Sequence, residues 1–350
     1  MMSSEARLRV LIASYLEPEH VATIRGVDPR VEVIYEPELL RKPRYAADHN
    51  GVAADRTPHD EQRWRGLLAE ADVLFDFDYT NDADLPELAP RVRWVQASSA
   101  GIGQFVARRR YTERWKGVTF TTARGIHAVP LAEFCALALL AASRGLFLMR
   151  DLQARKHWER FAATDLIGRT LVIFGHGSIG REVARLSRGF GMKTIGVKRT
   201  VANEDPSAHN VDELHPATAF KSLLPRAEFL VLAAPHTNET ERVLGEAELA
   251  LLPKGAFLIN IGRGALVDEG AMIEALKGGR LGGAALDVFA TEPLPPDSPL
   301  WTMPNVLVSP HSASTSDREN GRLTDLFCEN LRSFLAGRPL RNVLDVERLY

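Results

Sequence analysis

The sequence has few cysteines and no excess of charge of either sign. Only two of its 350 residues are cysteine, Cys135 and Cys328, so neither a disulfide framework nor a thiolate cage around a metal is available. With 43 lysine and arginine residues against 45 aspartate and glutamate residues, the formal net charge is −2, which provides no overall basic surface for nucleic acid or an anionic membrane. We therefore expect no metal site, no nucleic-acid partner and no membrane partner.

The sequence also lacks a hydrophobic run that makes a good membrane span. The longest apolar stretch, residues 131–149, contains Glu133 and Arg144, which are costly inside a bilayer but acceptable in a helix of a globular core. The first apolar run, residues 9–14, is too short for the core of a signal peptide and is typical of a first strand. These features predict a cytoplasmic protein.

Short β-rich segments alternate with helical segments along the chain. This alternation is typical of parallel sheets connected by helical crossovers. Because the segments fall into two sets, the expected fold class is α/β with two doubly wound domains. The first set of predicted strands is 8–14, 31–35, 73–77, 92–96 and 118–121, and the second set is 170–174, 193–197, 229–233, 256–261, 283–286 and 306–309.

Two long stretches between the strands need separate interpretation. Residues 41–65 contain Pro43, Pro58 and many charges, which predicts a surface excursion leading into a helix, with no chemistry assigned. Residues 128–157 predict a long helix, broken near Arg150, that links the two sets of strands. Its apolar surface is large enough to face a second subunit, although the core of a single subunit also accounts for it.

A glycine-rich turn follows the first strand of the second set. Gly175, Gly177 and Gly180 stand in the sequence Gly-His-Gly-Ser-Ile-Gly, between an apolar strand and a helix. Glycines at these positions permit a tight turn, a close approach of the backbone to a pyrophosphate, and close packing of helix on strand. The N–H groups at the helix N-terminus favour the phosphates. This context predicts a bound dinucleotide.

The residues after the next strand bear on which dinucleotide is bound. Proteins that use NAD commonly place an acidic residue there, where it binds the ribose 2′-hydroxyl. This sequence has Lys198, Arg199 and Thr200 instead, and the next acid is Glu204. Two cations attract a 2′-phosphate, so NADP(H) is the expected cofactor, with NAD(H) as the second choice. A solvated basic turn is the alternative interpretation.

Arg263, Glu292 and His311 form a candidate reaction site. Each lies in a loop directly after a predicted strand of the second set, and the carboxyl ends of parallel strands share one edge of the sheet. An arginine binds a carboxylate through its planar fork, a histidine transfers a proton, and a carboxylate stabilises the charged histidine. These groups supply what hydride transfer to a carbonyl needs besides the nicotinamide. Asp287, directly after the predicted strand that precedes Glu292, is either a ligand of the nicotinamide carboxamide or a cap or turn residue.

In order and spacing, the segments around these residues resemble the D-isomer-specific 2-hydroxyacid dehydrogenases. The similarity is carried by residues 175–180, 260–264, 287–294 and 309–311. The resemblance implies two Rossmann-like domains with the active site in the cleft between them. It assigns residues 125–311 to the dinucleotide-binding domain, and residues 1–124 with 312–350 to a discontinuous substrate domain.

The resemblance also implies a role for each site residue. Arg263 binds the substrate carboxylate and polarises the 2-oxo group, His311 is the acid/base, and Glu292 pairs with His311. Ala100 and Gly101 offer backbone N–H groups to the substrate carboxylate. The residues expected at the cofactor are Gly175, Gly177, Ser178, Ile179, Gly180, Lys198, Arg199, Ala234, Pro235, Ile261, Gly262, Arg263 and Asp287.

The resemblance implies a homodimeric enzyme that reduces a 2-oxo acid to the D-2-hydroxy acid. Acidic and aromatic residues at 76–80, without lysine or arginine, disfavour a phosphorylated substrate, so glyoxylate, hydroxypyruvate and pyruvate are preferred. Glu292 argues against the related formate dehydrogenases, and the chain after His311 is too short for the regulatory domain of many phosphoglycerate dehydrogenases. The alternative function is a dinucleotide-sensing scaffold that resembles the family's transcriptional corepressors. In the dimer, His157 and Trp158 are expected near the partner subunit.

Overall fold

The structure, a computed structural model, describes residues 7–347, which fall into two compact units. The first unit comprises the chain up to Ile126 together with the chain from Thr315 onwards, so it is discontinuous in sequence. The second unit is His127–Ser314. Each unit is built on one parallel sheet with helices between the strands, which confirms the predicted fold class.

Strands and helices alternate along residues 7–347. The strands are β1 (Leu8–Ile12), β2 (Val31–Ile34), β3 (Val73–Phe75), β4 (Trp94–Gln96), β5 (Thr119–Thr121), β6 (Thr170–Phe174), β7 (Lys193–Lys198), β8 (Glu213–Pro216), β9 (Phe229–Leu232), β10 (Ala256–Asn260), β11 (Leu281–Leu286) and β12 (Val306–Val308). The α-helices are α1 (Pro18–Arg25), α2 (Pro58–Glu70), α3 (Leu85–Leu88), α4 (Gly103–Arg108), α5 (Tyr111–Arg114), α6 (Ala128–Ser143), α7 (Leu146–Ala154), α8 (Ser178–Gly189), α9 (Phe220–Leu223), α10 (Glu246–Leu251), α11 (Glu269–Lys277) and α12 (Glu319–Leu335). Short 3-10 turns occur at 37–39, 206–209, 217–219, 224–226, 264–266 and 299–301.

The first unit contains a five-stranded sheet with the order β2-β1-β3-β4-β5, and every pairing is parallel. Buried apolar side chains cover both faces, with Trp64 of α2 in one core and Phe327 of α12 in the other. The ring of Phe327 stacks on Trp94 of β4 with centroids 5.0 Å apart. This contact joins the returning C-terminal part of the chain to the sheet formed by the N-terminal part.

The second unit contains a seven-stranded parallel sheet with the order β12-β11-β10-β9-β6-β7-β8. The chain runs outwards in one direction from β6 and in the other from β9, so the topology switches between these two strands. In doubly wound sheets, ligands bind beyond the carboxyl ends of the strands at such a switch point. Strand β8 was not predicted, because its four residues, Glu-Leu-His-Pro, show no apolar run and lie at the sheet edge.

The long helix predicted over 128–157 breaks at Gly145, so the break predicted near Arg150 is wrong. Helices α6 and α7 meet there at 65°. Gly145 has φ +70, and a Cβ at this position would lie 2.8 Å from the ring of Phe161, so glycine suits the bend for two reasons. Within residues 7–347 no single helix is long and apolar enough to cross a membrane, and α6 and α7 reach that length only as a bent pair.

The stretch at residues 41–65 is a loop followed by α2, which begins at Pro58, so the predicted helix after the excursion is present. Lys42 and Val52 pair as an antiparallel bridge, which closes part of this stretch into a compact loop. Trp64 is fully buried, and its Nε1 donates a hydrogen bond to Asp78 at 2.8 Å. The apolar face of α2 therefore packs against the first sheet.

Candidate active site

The glycine turn joins β6 to α8, as predicted. Gly175 has φ +98, and a Cβ there would lie 2.3 Å from the backbone N of Ala234, so only glycine lets this turn pass the loop after β9. A Cβ at Gly180 would lie 2.9 Å from the carbonyl oxygen of Gly175. Gly177 precedes α8, and no atom lies within 4 Å of where its Cβ would stand. The space beside Gly177, at the N-terminus of α8, is therefore open, and a helix N-terminus favours an anion.

The side chain of His176 connects this turn to two neighbouring segments of the same domain. Its side chain is buried, and Nε2 donates to the carbonyl oxygen of His209 at 2.9 Å. Its ring packs on β7 at Gly196, where a Cβ would come within 2.8 Å of the ring. Burial lowers the pKa of His176 to about 4, so the ring is neutral at pH 7. Its contacts with His209 and Gly196 hold the glycine turn in place.

Charged side chains form a connected network where β7 ends. Nζ of Lys198 lies 2.7 and 3.0 Å from the two carboxylate oxygens of Glu204. The same carboxylate lies 2.8 Å from Nε2 of His209, whose Nδ1 accepts a hydrogen bond from Arg181 of α8 at 2.8 Å. The sequence places Glu204 six positions after Lys198 but does not indicate their contact. The loop after β7 folds back and brings the two side chains together.

Arg263 lies just beyond β10, in a turn built by its neighbours. Asn260 accepts from the N–H of Gly262 and donates to the carbonyl of Arg263, both at 3.1 Å. Nη1 of Arg263 donates to the carbonyl of Gly262 at 2.7 Å. A Cβ at Gly264 would lie 1.9 Å from the carbonyl oxygen of Phe289. Glycine therefore lets the arginine turn touch the loop after β11.

His311 and Glu292 come together as predicted. Nδ1 of His311 lies 2.8 Å from Oε2 of Glu292, and the side chains are 45% and 36% exposed. The other carboxylate oxygen accepts the N–H of Phe289 at 3.0 Å, which holds Glu292 in place. Since Nδ1 faces the carboxylate, Nε2 is the ring atom able to exchange a proton with a ligand. Glu292 also lies close enough to Arg263 to interact with its charge.

Asp287 fastens the loop that carries His311. Its Oδ1 accepts hydrogen bonds from the hydroxyl of Ser309 at 2.6 Å and from the N–H groups of Ser312 and Ala313 at 2.9 and 3.0 Å. Burial raises the pKa of Asp287, and these hydrogen bonds oppose that shift. The turn interpretation of Asp287 therefore has direct support in the structure, while its contact with a carboxamide stays a prediction.

Ala100 and Gly101 lie in the first unit, in the loop between β4 and α4. The N–H of Gly101 donates to the hydroxyl of Ser99 at 3.2 Å. A carboxylate bound at this position would therefore compete with that hydroxyl for the Gly101 N–H. The predicted role of this loop in binding substrate stays a prediction.

The acidic residues noted at 76–80 belong to a polar cluster whose contacts were not predicted from the sequence. Asp76, directly after β3, has φ +66 and accepts hydrogen bonds from Tyr79 at 3.2 Å and from the N–H of Ser98 at 3.3 Å. Nδ1 of His49 lies 3.0 Å from the hydroxyl of Ser14 and 4.0 Å from Oδ2 of Asp76. Those contacts join distant loops, so no local spacing pattern indicates them.

Residues 136–313 match the family model described as D-isomer specific 2-hydroxyacid dehydrogenase, NAD binding domain. A glyoxylate reductase from Korarchaeum cryptofilum is 34% identical over 272 residues, which cover 76% of this chain and 80% of the relative. A D-isomer specific 2-hydroxyacid dehydrogenase from Xanthobacter autotrophicus Py2, solved with NADPH and MES, is 27% identical with a TM-score of 0.77, covering 99% and 100% of the two chains. An NADPH-dependent glyoxylate/hydroxypyruvate reductase from Sinorhizobium meliloti, solved with NADP and sulfate, is 26% identical with a TM-score of 0.76, covering 98% and 100%.

Proposed function

Because the chain belongs to the D-isomer specific 2-hydroxyacid dehydrogenase family and is an NAD(P)-dependent oxidoreductase, we propose that it reduces a small 2-oxo acid to the D-2-hydroxy acid, with His311 as the proton donor. The observation that carries this proposal is the 2.8 Å contact between His311 and Glu292, on a loop that touches the turn of Arg263. It combines a proton donor, a stabilising carboxylate and an anion-binding arginine.

The chain's own residues divide the reaction between binding and proton transfer. The first N–H groups of α8, at Ser178 and Ile179, would hold the pyrophosphate of the dinucleotide, which when bound supplies the hydride that C2 of the substrate accepts. Arg263 binds the substrate carboxylate bidentately and stabilises the negative charge that grows on the carbonyl oxygen. Protonated His311 donates from Nε2 to that oxygen and becomes neutral, and Glu292 stabilises the charged form before transfer.

We propose that the substrate has no phosphate. At the strand ends of the first unit, Asp76 and Asp78 are buried carboxylates. The nearest cation from the 41–65 stretch, Arg56, is already compensated, because it lies 3.0 Å from Glu61 and 3.8 Å from Asp78. A phosphate placed here would lose its hydration beside negative charge. The names glyoxylate reductase and glyoxylate/hydroxypyruvate reductase support the same choice. Two other relatives, 30% and 33% identical, are D-3-phosphoglycerate dehydrogenases, so this choice rests on the charges of the first unit.

The proposed function is tested by steady-state turnover followed through nicotinamide absorbance. We expect kcat/KM of about 10⁴ M⁻¹s⁻¹ or more for glyoxylate or hydroxypyruvate, with 3-phosphohydroxypyruvate at least about tenfold poorer because of the cost of burying its phosphate. Each acid is measured with both NADPH and NADH. Turnover on none of the acids with either dinucleotide would contradict the proposal and would favour the dinucleotide-sensing scaffold.

We propose NADP(H) as the preferred cofactor. Lys198 and Arg199 follow β7 directly, and cations at this position attract a 2′-phosphate. The structures from Xanthobacter autotrophicus Py2 and Sinorhizobium meliloti, solved with NADPH and NADP, support this choice. The carboxylate of Glu204 on Lys198 limits how large the preference can be.

We also propose a homodimer, with α6, α7 and the chain after them at the interface. Several large apolar side chains of this region are exposed, and Trp158 is 95% exposed. A large exposed apolar patch marks a surface that another protein covers. The exposed apolar side chains of this region are Val129, Leu137, Leu140, Leu146, Leu148, Met149, Trp158 and Phe161.

The dimer is tested by sedimentation at micromolar concentration. The unmodified chain should sediment as a dimer, and Leu137→Asp should sediment as a monomer, because a carboxylate inside an apolar interface is strongly unfavourable. Val52→Asp is the control, since Val52 is also exposed but belongs to the first unit, whereas α6 and α7 belong to the second. A monomer for the unmodified chain would contradict the proposal.

A further inference from the structure

Lys198 is the last residue of β7. In dinucleotide-binding sheets, a side chain at this position reaches the adenosine ribose. The charge of Lys198 is, however, already compensated within the protein. Its ammonium lies 2.7 and 3.0 Å from the two carboxylate oxygens of Glu204. The two side chains are only 26% and 31% exposed, so solvent screens this pair less than an ion pair in full water. A ligand that needs Lys198 must therefore compete with a carboxylate of the protein itself.

Glu204 is also held from its other side. Because a guanidinium can only donate, Nδ1 of His209 is the acceptor of the 2.8 Å contact with Arg181, and its Nε2 then carries a proton. That Nε2 lies 2.8 Å from the Glu204 oxygen that also contacts Lys198. The carbonyl of His209 is bound in turn by His176 of the glycine turn. The Glu204 carboxylate thus belongs to a network of contacts that extends from the glycine turn at 175–180 to the end of β7.

We propose that Glu204 determines cofactor selectivity, as an internal anion that occupies Lys198 and competes there with the 2′-phosphate of NADP(H). This inference rests on the proposed dinucleotide site. With NAD(H), the carboxylate stays on Lys198 and can accept a hydrogen bond from a ribose 2′-hydroxyl, as the acid of NAD-binding domains does. With NADP(H), the phosphate displaces the carboxylate from the ammonium. The chain therefore uses both dinucleotides, and its preference for NADP(H) is smaller than its two consecutive cations suggest.

The test is calorimetric binding of two fragments to the full chain. Adenosine 2′,5′-bisphosphate carries the 2′-phosphate, and adenosine 5′-monophosphate carries the hydroxyl. Glu204→Gln keeps the size of the side chain and removes its charge. In this variant the Kd of the bisphosphate should fall about fivefold, while the Kd of the monophosphate should stay the same or rise. An unchanged or higher Kd for the bisphosphate overturns the proposal.

A second substitution separates competition at Lys198 from a general change of charge. In a Lys198→Ala background, Glu204→Gln should change the Kd of the bisphosphate by less than about twofold, because no ammonium remains to be released. If Glu204→Gln lowered the Kd of the bisphosphate equally in both backgrounds, competition at Lys198 would be overturned. Such a result would show that the Glu204 carboxylate only repels the 2′-phosphate from a distance.

The control is Glu182→Gln, which removes a carboxylate paired with Arg185 on α8 and should alter neither Kd. If neither fragment binds the unmodified chain, the proposed dinucleotide site is wrong and this inference falls with it. If both fragments bind and only the Glu204 result fails, the dinucleotide site stands and the inference alone is overturned.

Discussion

His311→Ala should lower kcat/KM for reduction of the 2-oxo acid by about 10²–10⁴-fold, the range expected when a positioned general acid is lost. The Kd of the dinucleotide should change less than about twofold, because the glycine turn at 175–180 does not depend on this side chain. Steady-state kinetics and a fluorescence titration of the dinucleotide measure the two quantities. Retention of more than a tenth of the activity would show that another group donates the proton.

Glu292→Gln tests the pairing of His311 with Glu292 through the pH dependence of kcat/KM. Reduction needs protonated His311, so activity is present at low pH and is lost as the pH rises. Without the carboxylate 2.8 Å from Nδ1, the imidazolium is less stable, and the loss of kcat/KM should begin at lower pH than in the unmodified chain. Superimposable pH profiles would show that the pairing has no catalytic role.

Arg263→Lys should lower kcat/KM by about 10²-fold or more, although the charge is kept. An ammonium is a point charge, whereas the guanidinium offers a planar fork that matches a carboxylate with two parallel hydrogen bonds. A Cβ at the neighbouring Gly264 would overlap the carbonyl of Phe289, so this turn lies directly against the loop after β11.

The control for this substitution is Arg185→Lys. Arg185 lies on the exposed part of α8 and pairs with Glu182, so kinetics should not change. Near-normal kcat/KM in Arg263→Lys, with Arg185→Lys also normal, would show that Arg263 has a structural role only.

Much of the candidate site is determined by the sequence alone. Strand positions follow from short apolar runs, and the glycine turn follows from its place between β6 and α8. Arg263, Glu292 and His311 can be grouped by their positions in the sequence, because each follows a strand and the carboxyl ends of parallel strands share an edge. The contact between His311 and Glu292 is a consequence of that rule, although 19 positions separate the two residues in the sequence.

Only the tertiary structure decides how the loops complete this site. The return of Glu204 to Lys198, the hydrogen bonds from the His311 loop to Asp287, and the meeting of His49 with Asp76 all depend on loop conformation. Sequence patterns report the period of strands and helices, which is a local property of the backbone. A loop has no such period, and its path is set by the elements it packs against. For this reason the sequence predicted the reaction class, whereas the pairing of Lys198 with Glu204 required the fold.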